Sequence, residues 1–465
     1  MTLIKSISGI RGTIGGSVGD NLTPVDIVNF ASAFGAWIKE KTNKTTPKIV
    51  VGRDARLSGA MVQELVMQTL VGLGVEVLDL GLSTTPTVEL AVPWEHADGG
   101  IILTASHNPK QWNALKLLNA KGEFISASDG KMLLEKIEKQ DFNFAKIDDL
   151  GSISVLENYF EKHIDHILGL EMVDVTAIKN ANFKAVVDGV NSTGGVAVPM
   201  LLEALGVQVT KIHCEPTGHF AHNPEPLKEH LWELSERVVT EKADFGITVD
   251  PDVDRLAFVC EDGEMFGEEY TLVACADYIL SKKSGHVTSN LSSSRALRDV
   301  AQLHGGCYDA AKVGEVNVVE LMKAKSSVIG GEGNGGIIYP DSHYGRDALV
   351  GIALFLTHLA NQKVSISVLR KTYPAYFMYK GKINLTPDID IDGLLLAIKE
   401  KYTSEKVTAI DGVKVDLEEA WFHLRKSNTE PIIRVYTEAK SLELAQDLAK
   451  IIQKQIAEIL EVLKK

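Results

Sequence analysis

One serine lies in a sequence context that suits a reactive hydroxyl group. Residues 101–103 form a short apolar run, and the segment Thr-Ala-Ser-His-Asn-Pro of residues 104–109 follows it directly. Such a run predicts a buried strand that ends in a tight loop, and ligands bind at the carboxyl ends of strands in α/β proteins. The loop presents Ser106, with His107 beside it. Serine, asparagine and proline are also ordinary turn formers, so this loop alone does not establish a site.

Three aspartates form the second candidate site. Asp250, Asp252 and Asp254 alternate in the run Asp-Pro-Asp-Val-Asp-Arg, directly after the apolar segment 245–249. In an extended loop such side chains project to one side, and three bunched negative charges are unfavourable without a cation. Oxygen ligands select a hard ion, and Mg²⁺ suits a site whose coordination shell a phosphate completes. The alternative interpretation is a solvated acidic turn.

Two later segments carry groups suited to a sugar and to a phosphate. The run Gly-Glu-Gly-Asn-Gly-Gly (331–336) formally matches a dinucleotide-binding motif, but strand and turn residues follow it instead of a helix, which excludes that interpretation. Glu332 among close-packed glycines instead suits hydrogen bonding to vicinal sugar hydroxyls. The run Arg-Lys-Ser-Asn-Thr-Glu-Pro (425–431) concentrates hydrogen-bond donors that match the oxygens of a phosphate. A plain turn is the alternative for this last segment.

These four segments, in this order, resemble those of the α-D-phosphohexomutases, enzymes that move phosphate between C1 and C6 of a hexose. The resemblance covers essentially the whole chain. It implies that Ser106 carries the phosphoryl group and that one Mg²⁺ is bound by Ser106, Asp250, Asp252 and Asp254. It also implies a small sugar phosphate as the partner and a hexose 1,6-bisphosphate as intermediate and activator.

The resemblance assigns further roles, residue by residue. The reacting phosphate would be met by Arg11, His107, Lys116 and Arg255; the sugar by Lys312, Glu332 and Asn334; and the phosphate that is not transferred by Arg425, Ser427, Asn428 and Thr429. Lys116 is the candidate proton-transfer group, because a cation-rich centre could lower its pKa enough for acid–base work. Glu315 and Gly336 stand where many relatives carry histidines.

Substrate choice within the family is only partly indicated. The chain length and the Gly-Glu-Gly-Asn-Gly-Gly loop resemble those of phosphoglucosamine mutases, which favours glucosamine 6-phosphate and glucosamine 1-phosphate. Asn428 stands where common bacterial glucosamine enzymes have glycine, so phosphoglucomutase/phosphomannomutase is the alternative. Outside the family, a metal-dependent sugar phosphatase and a non-catalytic sugar-phosphate sensor would use many of the same residues.

The alternation of strands and helices predicts an α/β fold. We expect three similar α/β modules with mixed, largely parallel sheets, plus a smaller C-terminal α+β domain, around a central cleft. The expected domains are a phosphoserine-loop domain (1–150), a metal-loop domain (151–254), a sugar-recognition domain (255–370) and a phosphate-binding domain (371–465). A length of 465 residues suits three or four domains.

Composition limits the remaining possibilities. The net charge of −14 argues against nucleic acid as a partner. The four cysteines lack metal-binding spacing, so we expect reduced thiols and a cytoplasmic protein.

The apolar segment 348–359 is too short to cross a membrane and predicts a core helix. His213, His219 and His222 lack the spacing of a compact metal site, and we expect turn or surface histidines. The oligomeric state stays open.

Overall fold

The computed structural model describes residues 2–6, 9–385, 389–426 and 432–463. It confirms the expected α/β architecture with mixed sheets and a C-terminal antiparallel sheet. By their internal contacts the residues group into two units, Met1–Tyr278 with Asn334–Arg370 and Ile279–Gly333 with Lys371–Lys465. The first unit contains the serine and aspartate loops, and the second contains Glu332 and Arg425. The four domain boundaries stay predictions.

The N-terminal sheet is mixed. Its strands are β1 (Ile4–Ser6), β2 (Gly9–Thr13), β3 (Lys48–Arg53), β4 (Glu76–Leu82), β5 (Gly99–Leu103), β6 (Trp112–Asn119) and β7 (Ser152–Val155), in the order β1-β2-β6-β5-β3-β4-β7. Its helices are α1 (Pro24–Thr42), α2 (Gly59–Gly72), α3 (Thr85–Trp94) and α4 (Ala127–Lys139). Because β3 and β5 are parallel neighbours, the loops that follow them lie at the same edge of the sheet.

Both faces of this sheet are covered, which explains the continuous apolar runs in β3 and β5. Ile49 and Val51 pack on one face in a cluster with Phe34 of α1. Val50, which points the other way, packs with Val88 of α3. The alternation therefore anchors β3 from both sides and holds the loop at its end in place.

The second sheet has three parallel strands and one antiparallel edge strand. Its strands are β8 (Lys184–Asp188), β9 (Gln208–Ile212), β10 (Phe245–Val249) and β11 (Leu256–Cys260), in the order β11-β10-β8-β9. The helices of this region are α5 (Tyr159–Leu168), α6 (Val175–Ala181), α7 (Gly194–Ala204) and α8 (Trp232–Thr240). The aspartate loop is the connection between the antiparallel strands β10 and β11.

The third region contains three neighbouring parallel strands. Its elements are α9 (Glu268–Lys282), β12 (His286–Asn290), α10 (Ala296–Leu303), β13 (Cys307–Ala311), α11 (Glu315–Lys325), β14 (Ile329–Glu332), β15 (Gly336–Ile338), α12 (Ala348–Gln362) and α13 (Ile366–Thr372). Strand β12 pairs in parallel with both β13 and β14. The loops after β12, β13 and β14 therefore share one edge, which is where Glu332 lies.

Helix α12 is a core helix, as the sequence predicts. All of its residues from Ala348 to Ala360 are buried. Among the described residues, no single helix has both the length and the apolar composition needed to cross a bilayer. Together α12 and α13 have that length and composition, but the two helices are bent by 89° relative to each other.

The C-terminal domain is an antiparallel sheet covered by two helices. Its elements are β16 (Phe377–Asn384), α14 (Ile391–Lys401), β17 (Lys406–Thr408), β18 (Val413–Asp416), β19 (Trp421–Lys426), β20 (Ile432–Ala439) and α15 (Leu442–Leu463). The strand order is β16-β20-β19-β18-β17. Ile398 of α14 and Ile452 of α15 pack with Phe422 and Val435 of the sheet. This apolar layer holds β19, the strand that ends in the predicted phosphate loop.

Lys414 of β18 is a buried cation, and its burial gives a pH-dependent stability. Its Nζ donates to the carbonyl oxygen of Leu291 at 2.7 Å and lies 4.1 Å from the centroid of the Trp421 ring. Burial lowers the pKa of Lys414 from 10.5 to about 8, although Asp416 and Glu438 oppose the shift. The unfolded chain therefore binds this proton more tightly than the folded chain between these two pH values.

We predict that raising the pH from 8 to 10.5 increases the free energy of unfolding of the wild type relative to Lys414→Met, by about 3 kcal/mol. Urea unfolding of both proteins at several pH values measures this difference. Other groups titrate in both proteins, so their contributions cancel. A difference that does not change with pH would contradict the prediction.

Candidate active site

The serine loop is held in an uncommon backbone conformation. Ser106 is buried and has φ = +50°, in the left-handed region that non-glycine residues rarely adopt. Its backbone N–H donates to Thr104 Oγ1 at 2.9 Å, and that hydroxyl donates to Asp54 Oδ2 at 2.7 Å. Because Asp54 follows β3 and Thr104 follows β5, the adjacency of the two strands places this support under the serine.

Arg56 gathers the carbonyl groups of the serine loop. Its guanidinium is fully buried and pairs with Asp54 at 3.0 Å. It also lies 5.1 Å from the centroid of the Phe220 ring. The guanidinium donates to four carbonyl oxygens, those of Ser106 (2.5 Å), Asn108 (2.7 Å), Pro109 (2.9 Å) and Trp112 (2.9 Å). Three of these carbonyls belong to the turn after β5, and that of Trp112 begins β6. One cation thus ties the turn to the strand that follows it.

The aspartate loop curls so that its side chains converge. Asp250, Asp252 and Asp254 are fully buried, with ligand oxygens within 4.8 Å of one another. Asp250 Oδ1 accepts the backbone N–H groups of Asp254 and Arg255, both at 3.1 Å. Val253 supplies the reversal with φ = +65°. The convergence comes from this compact turn, and not from the extended loop that the sequence analysis expected.

The serine and aspartate loops meet. The Ser106 hydroxyl donates to Asp250 Oδ2 at 2.6 Å. The hydroxyl of Thr85, at the start of α3, donates to Asp252 Oδ2 at 2.6 Å, and the Thr85 backbone N–H donates to the Asp252 carbonyl at 2.9 Å. The first and second sheets therefore contribute one loop each to the same small volume.

Two cations balance the buried carboxylates directly. Lys116 Nζ lies 2.6 Å from Asp252 Oδ2 and 3.2 Å from Asp254 Oδ2. Arg346, which directly precedes the cap of α12, reaches Asp254 Oδ2 at 2.8 Å. Arg255 is farther away, with Nε 4.0 Å from Asp250 Oδ2 and 3.9 Å from Asp254 Oδ1. The formal charges of the three carboxylates and three cations thus cancel.

The pKa of Lys116 departs from the sequence-based expectation. Burial lowers the pKa, but the carboxylates of Asp252 and Asp254 raise it more, so the net pKa lies above the ordinary lysine value. The expectation of a lowered pKa was wrong because it took the neighbours to be mainly cations. Lys116 is therefore an ammonium group at neutral pH, and its immediate role is to balance charge.

The aspartate trio fits a magnesium ion. Among the described residues, Asp252 Oδ1 and Asp254 Oδ1 are buried without a hydrogen-bond partner. Burial and the charges of Asp254 and Asp252 raise the pKa of Asp250, which shows how unfavourable a third negative charge is at this point. A hard divalent cation would satisfy both orphaned oxygens and remove that penalty. The donor set is all oxygen, which suits Mg²⁺.

The other residues predicted at the reacting phosphate lie near the serine. His107 Nδ1 is 3.3 Å from Ser106 Oγ. Burial and the Arg255 guanidinium lower the pKa of His107 to about 2, so its imidazole is neutral. Arg11 is exposed on β2, and its charge is among those that lower this pKa. Arg255 also pairs with Glu225 at 3.2 Å.

The second unit brings together three more of the predicted residues. Glu332 is buried and accepts from Asn290 Nδ2 at 2.8 Å and from the Gly314 N–H at 3.0 Å. Asp411 Oδ2 accepts the Val313 N–H at 3.0 Å and lies 3.3 Å from Arg425 Nε. Lys312 is exposed next to Val313. The predicted sugar loop and the start of the predicted phosphate loop are thus linked through Asp411.

The remaining predicted residues divide into two groups. Asn334 belongs to the first unit, where its Oδ1 accepts the Gly336 N–H at 3.2 Å. Ser427, Asn428 and Thr429 lie outside the described residues. Their assignment to phosphate binding stays a prediction.

Sequence reasoning missed Arg56, Arg346 and Thr85 as parts of this site. Arg56 had a usable signal, because the segment Arg-Asp-Ala-Arg follows a strand adjacent to the serine strand. Arg346 directly precedes the most apolar helix. That position puts a positively charged side chain at the edge of the core, which is a weak signal for a role in the site. Thr85 has no distinctive pattern, since helix starts often contain threonine.

Comparisons with known proteins agree with this geometry. Four phosphoglucomutase/phosphomannomutase domain families match in order: alpha/beta/alpha domain I at residues 3–144, domain II at 161–263, domain III at 267–376 and the C-terminal domain at 393–455. The phosphoglucomutase/phosphomannomutase of Thermococcus kodakarensis is 34% identical, over 97% of this chain and 99% of the relative. The chain belongs to the phosphoglucomutase/phosphomannomutase family. It is therefore a phosphohexomutase, an isomerase that transfers a phosphoryl group.

Two further comparisons bear on substrate and fold. The phosphoglucosamine/phosphogalactosamine mutase of Sulfurisphaera tokodaii is 32% identical, over 96% of this chain and 97% of the relative. The names of the relatives thus divide between two substrate classes. A solved phosphoglucomutase/phosphomannomutase family protein from Burkholderia thailandensis shares the fold, with a TM-score of 0.85, 24% identity and coverage of 98% and 97% of the two chains.

We predict that Arg56→Lys lowers the mutase kcat by about 100-fold. The single nitrogen of a lysine cannot donate to all four carbonyl oxygens in the geometry of the guanidinium, so the serine would shift. We also expect a loss of about 3 kcal/mol of unfolding free energy from the incompletely satisfied buried site. Steady-state kinetics and urea unfolding measure the two effects. Arg237→Lys, which alters an exposed pair with Glu241 on α8, is the matched control. Wild-type kcat in Arg56→Lys would contradict the assigned role.

Proposed function

We propose that this phosphohexomutase works through a phosphoserine at Ser106 and a bisphosphorylated sugar, and that it interconverts glucosamine 6-phosphate and glucosamine 1-phosphate. One observation carries the proposal. The Ser106 hydroxyl lies 2.6 Å from Asp250, in a buried carboxylate trio with two orphaned oxygens. A serine in that position can carry a phosphoryl group whose charge the surrounding cations balance.

The phosphoryl transfer requires two exchanges at Ser106. In the first, the hydroxyl at the free end of the hexose phosphate attacks the phosphoserine; the P–O bond to Ser106 Oγ breaks and a hexose 1,6-bisphosphate forms. In the second, Ser106 Oγ attacks the other phosphate of that intermediate, and the product leaves with its phosphate on the opposite carbon. Each exchange conserves the phosphoryl group, and catalysis consists mainly of positioning and charge balance.

The residues of the first unit divide this work. Asp250, Asp252, Asp254 and the serine oxygen would hold Mg²⁺, which when bound supplies positive charge to the phosphoryl oxygens. Lys116, an ammonium between two carboxylates, and Arg255, at the edge of the trio, add charge on the protein side. His107, which is neutral, offers a polar contact beside Ser106 Oγ without adding a charge. Arg11 extends the positive charge toward solvent.

The residues of the second unit would recognise the substrate. Glu332, which is held by Asn290 and Gly314, would accept hydrogen bonds from sugar hydroxyls. Lys312 would donate to the sugar, and Asn334, from the first unit, would also contact it. Arg425, with Ser427, Asn428 and Thr429, would bind the phosphate that is not being transferred.

A second substrate class has its own support. The Thermococcus kodakarensis relative, named phosphoglucomutase/phosphomannomutase, is slightly more similar to this chain than the glucosamine/galactosamine enzyme of Sulfurisphaera tokodaii. Glucose and mannose phosphates are therefore the alternative substrates. The choice depends on groups around C2 of the sugar, where an amine replaces a hydroxyl.

We predict that Ser106→Ala abolishes mutase turnover, and that the wild type carries the added mass of one phosphoryl group after incubation with a hexose 1,6-bisphosphate. Intact-mass measurement and peptide mapping test the second point. Ser128→Ala, which removes an exposed hydroxyl on α4, should keep both the activity and the added mass. Turnover by Ser106→Ala would refute the phosphoserine, and steady release of inorganic phosphate would favour a phosphatase.

We predict that glucosamine 6-phosphate has the highest kcat/KM when glucosamine, glucose and mannose 6-phosphates are compared in parallel, with Mg²⁺ and the matching 1,6-bisphosphate present. We expect about a fivefold preference or more, since one altered polar group in a sugar site typically changes binding by at least about 1 kcal/mol. A higher value for glucose or mannose 6-phosphate would assign the alternative substrate and leave the phosphoserine mechanism intact.

A further inference from the structure

A second group of metal-ligand side chains lies in the first unit, apart from the aspartate trio. Asp188 ends β8, His213 follows β9, and His222 belongs to the loop between β9 and α8. The ligand atoms of these three side chains lie within 4.8 Å of one another. His219 is exposed, as expected for a turn or surface histidine, whereas His213 and His222 are half-buried and converge on Asp188. Their sequence spacing gave no sign of this convergence.

The geometry centres on one carboxylate oxygen. Asp188 is 1% exposed, and its Oδ2 lies 3.1 Å from His213 Nδ1 and 3.0 Å from His222 Nε2. Its other oxygen, Oδ1, accepts the backbone N–H of Val190 at 2.9 Å. One oxygen is thus occupied by the protein, and the other faces two ring nitrogens.

The outer nitrogens of the two rings determine what lies between the ligands. His222 Nδ1 is 2.7 Å from the carbonyl oxygen of Asn223, which can only accept, so this nitrogen carries a proton. His213 Nε2 is 3.4 Å from Glu233 Oε2, a carboxylate that likewise accepts. In a neutral His222 imidazole, the inner nitrogen would then present its lone pair to the lone pairs of Asp188 Oδ2 at 3.0 Å. A positive charge must therefore lie at this contact, as a second proton on His222 or as a metal ion.

We propose that Asp188, His213 and His222 bind one divalent transition-metal ion, and that zinc is the ion these ligands fit best. Two imidazole nitrogens and one carboxylate oxygen are a common protein ligand set for zinc, with water as the fourth ligand. Tetrahedral zinc separates such ligand atoms by about 3.3 Å, close to the 3.1 and 3.0 Å between Asp188 Oδ2 and the two ring nitrogens. The contacts of the outer nitrogens with Glu233 and Asn223 match the second-shell pattern that orients metal-binding histidines.

The bound ion would act on the loop that supports the reacting centre. Gly218 packs so closely on the Arg56 loop that an added Cβ would lie 2.1 Å from the Ala55 carbonyl oxygen. Phe220 lies against the Arg56 guanidinium, and Glu225 pairs with Arg255. A metal that joins His213 and His222 to Asp188 would fix both ends of the 213–222 segment, which contains Gly218 and Phe220. Its role is therefore structural, distinct from that of the magnesium at the aspartate trio.

The test uses the full-length enzyme after dialysis against a chelator, at pH 8 and with excess Mg²⁺ to occupy the aspartate trio. Titration with Co²⁺, followed by visible absorption, should show one four-coordinate site per chain that Zn²⁺ displaces. His213→Gln and His222→Gln should weaken Zn²⁺ binding by at least about 100-fold, and Glu233→Gln by about 10-fold. His219→Gln, in the same loop, should bind as the wild type does.

Two results would overturn the proposal. One is that the wild type takes up no Co²⁺ or Zn²⁺ in the presence of excess Mg²⁺. The positive charge beside Asp188 would then belong to protonated histidine and not to a metal ion. The other is undiminished binding by His213→Gln. His213 is the more exposed of the two histidines, so this variant serves as the decisive one if His222→Gln fails to fold. Zn²⁺ protection of the wild type against thermal unfolding, absent in His213→Gln, gives a second readout that does not depend on mutase activity.

Discussion

The structure of the reacting centre depends on the guanidinium of Arg56. A loop that presents a serine in the left-handed conformation cannot satisfy its carbonyl groups through a strand ladder. Arg56 donates to three of them and to the Trp112 carbonyl at the start of β6, and it pairs with Asp54, which also accepts from the Thr104 hydroxyl under the serine. The position of the hydroxyl is thus decided by a buried ion pair at the end of the neighbouring strand. The adjacency of β3 and β5 makes that arrangement possible.

The second constraint is the burial of negative charge. Three carboxylates without access to solvent are tolerated because Lys116, Arg346 and Arg255 surround them. These cations come from three separate parts of the chain. Lys116 lies on β6 within the first sheet, and Arg346 precedes the buried helix α12. Packing far from the site therefore determines how its charge is balanced.

Much of the architecture could be predicted because it rests on local patterns. Apolar runs followed by small polar residues correctly indicated β3, β5 and β10 and the loops at their ends, and the apolar segment that forms α12 was recognised as a core helix. The serine and the aspartates were found for the same reason. The roles of Arg56 and Arg346 depend on contacts between distant segments. So does the convergence of His213 and His222 on Asp188, across 25 and 34 residues.

The pKa of Lys116 illustrates a related limit. The direction of its pKa shift depends on whether anions or cations are closest to the ammonium group. Candidates of both charges lie at similar distances along the sequence, so the sequence does not decide between them. The contacts at 2.6 and 3.2 Å decide the sign. The residues beyond Arg425 in the predicted phosphate loop are a different case, since their assignment rests on the motif.

The position of Lys116 has a consequence for metal binding. Its ammonium group is an internal counterion for Asp252 and Asp254, so these carboxylates are paired with a cation before any metal ion binds. A divalent ion bound by the trio, as proposed above, would compete with Lys116 for the same carboxylates. Its affinity would therefore depend on how far the lysine side chain can withdraw.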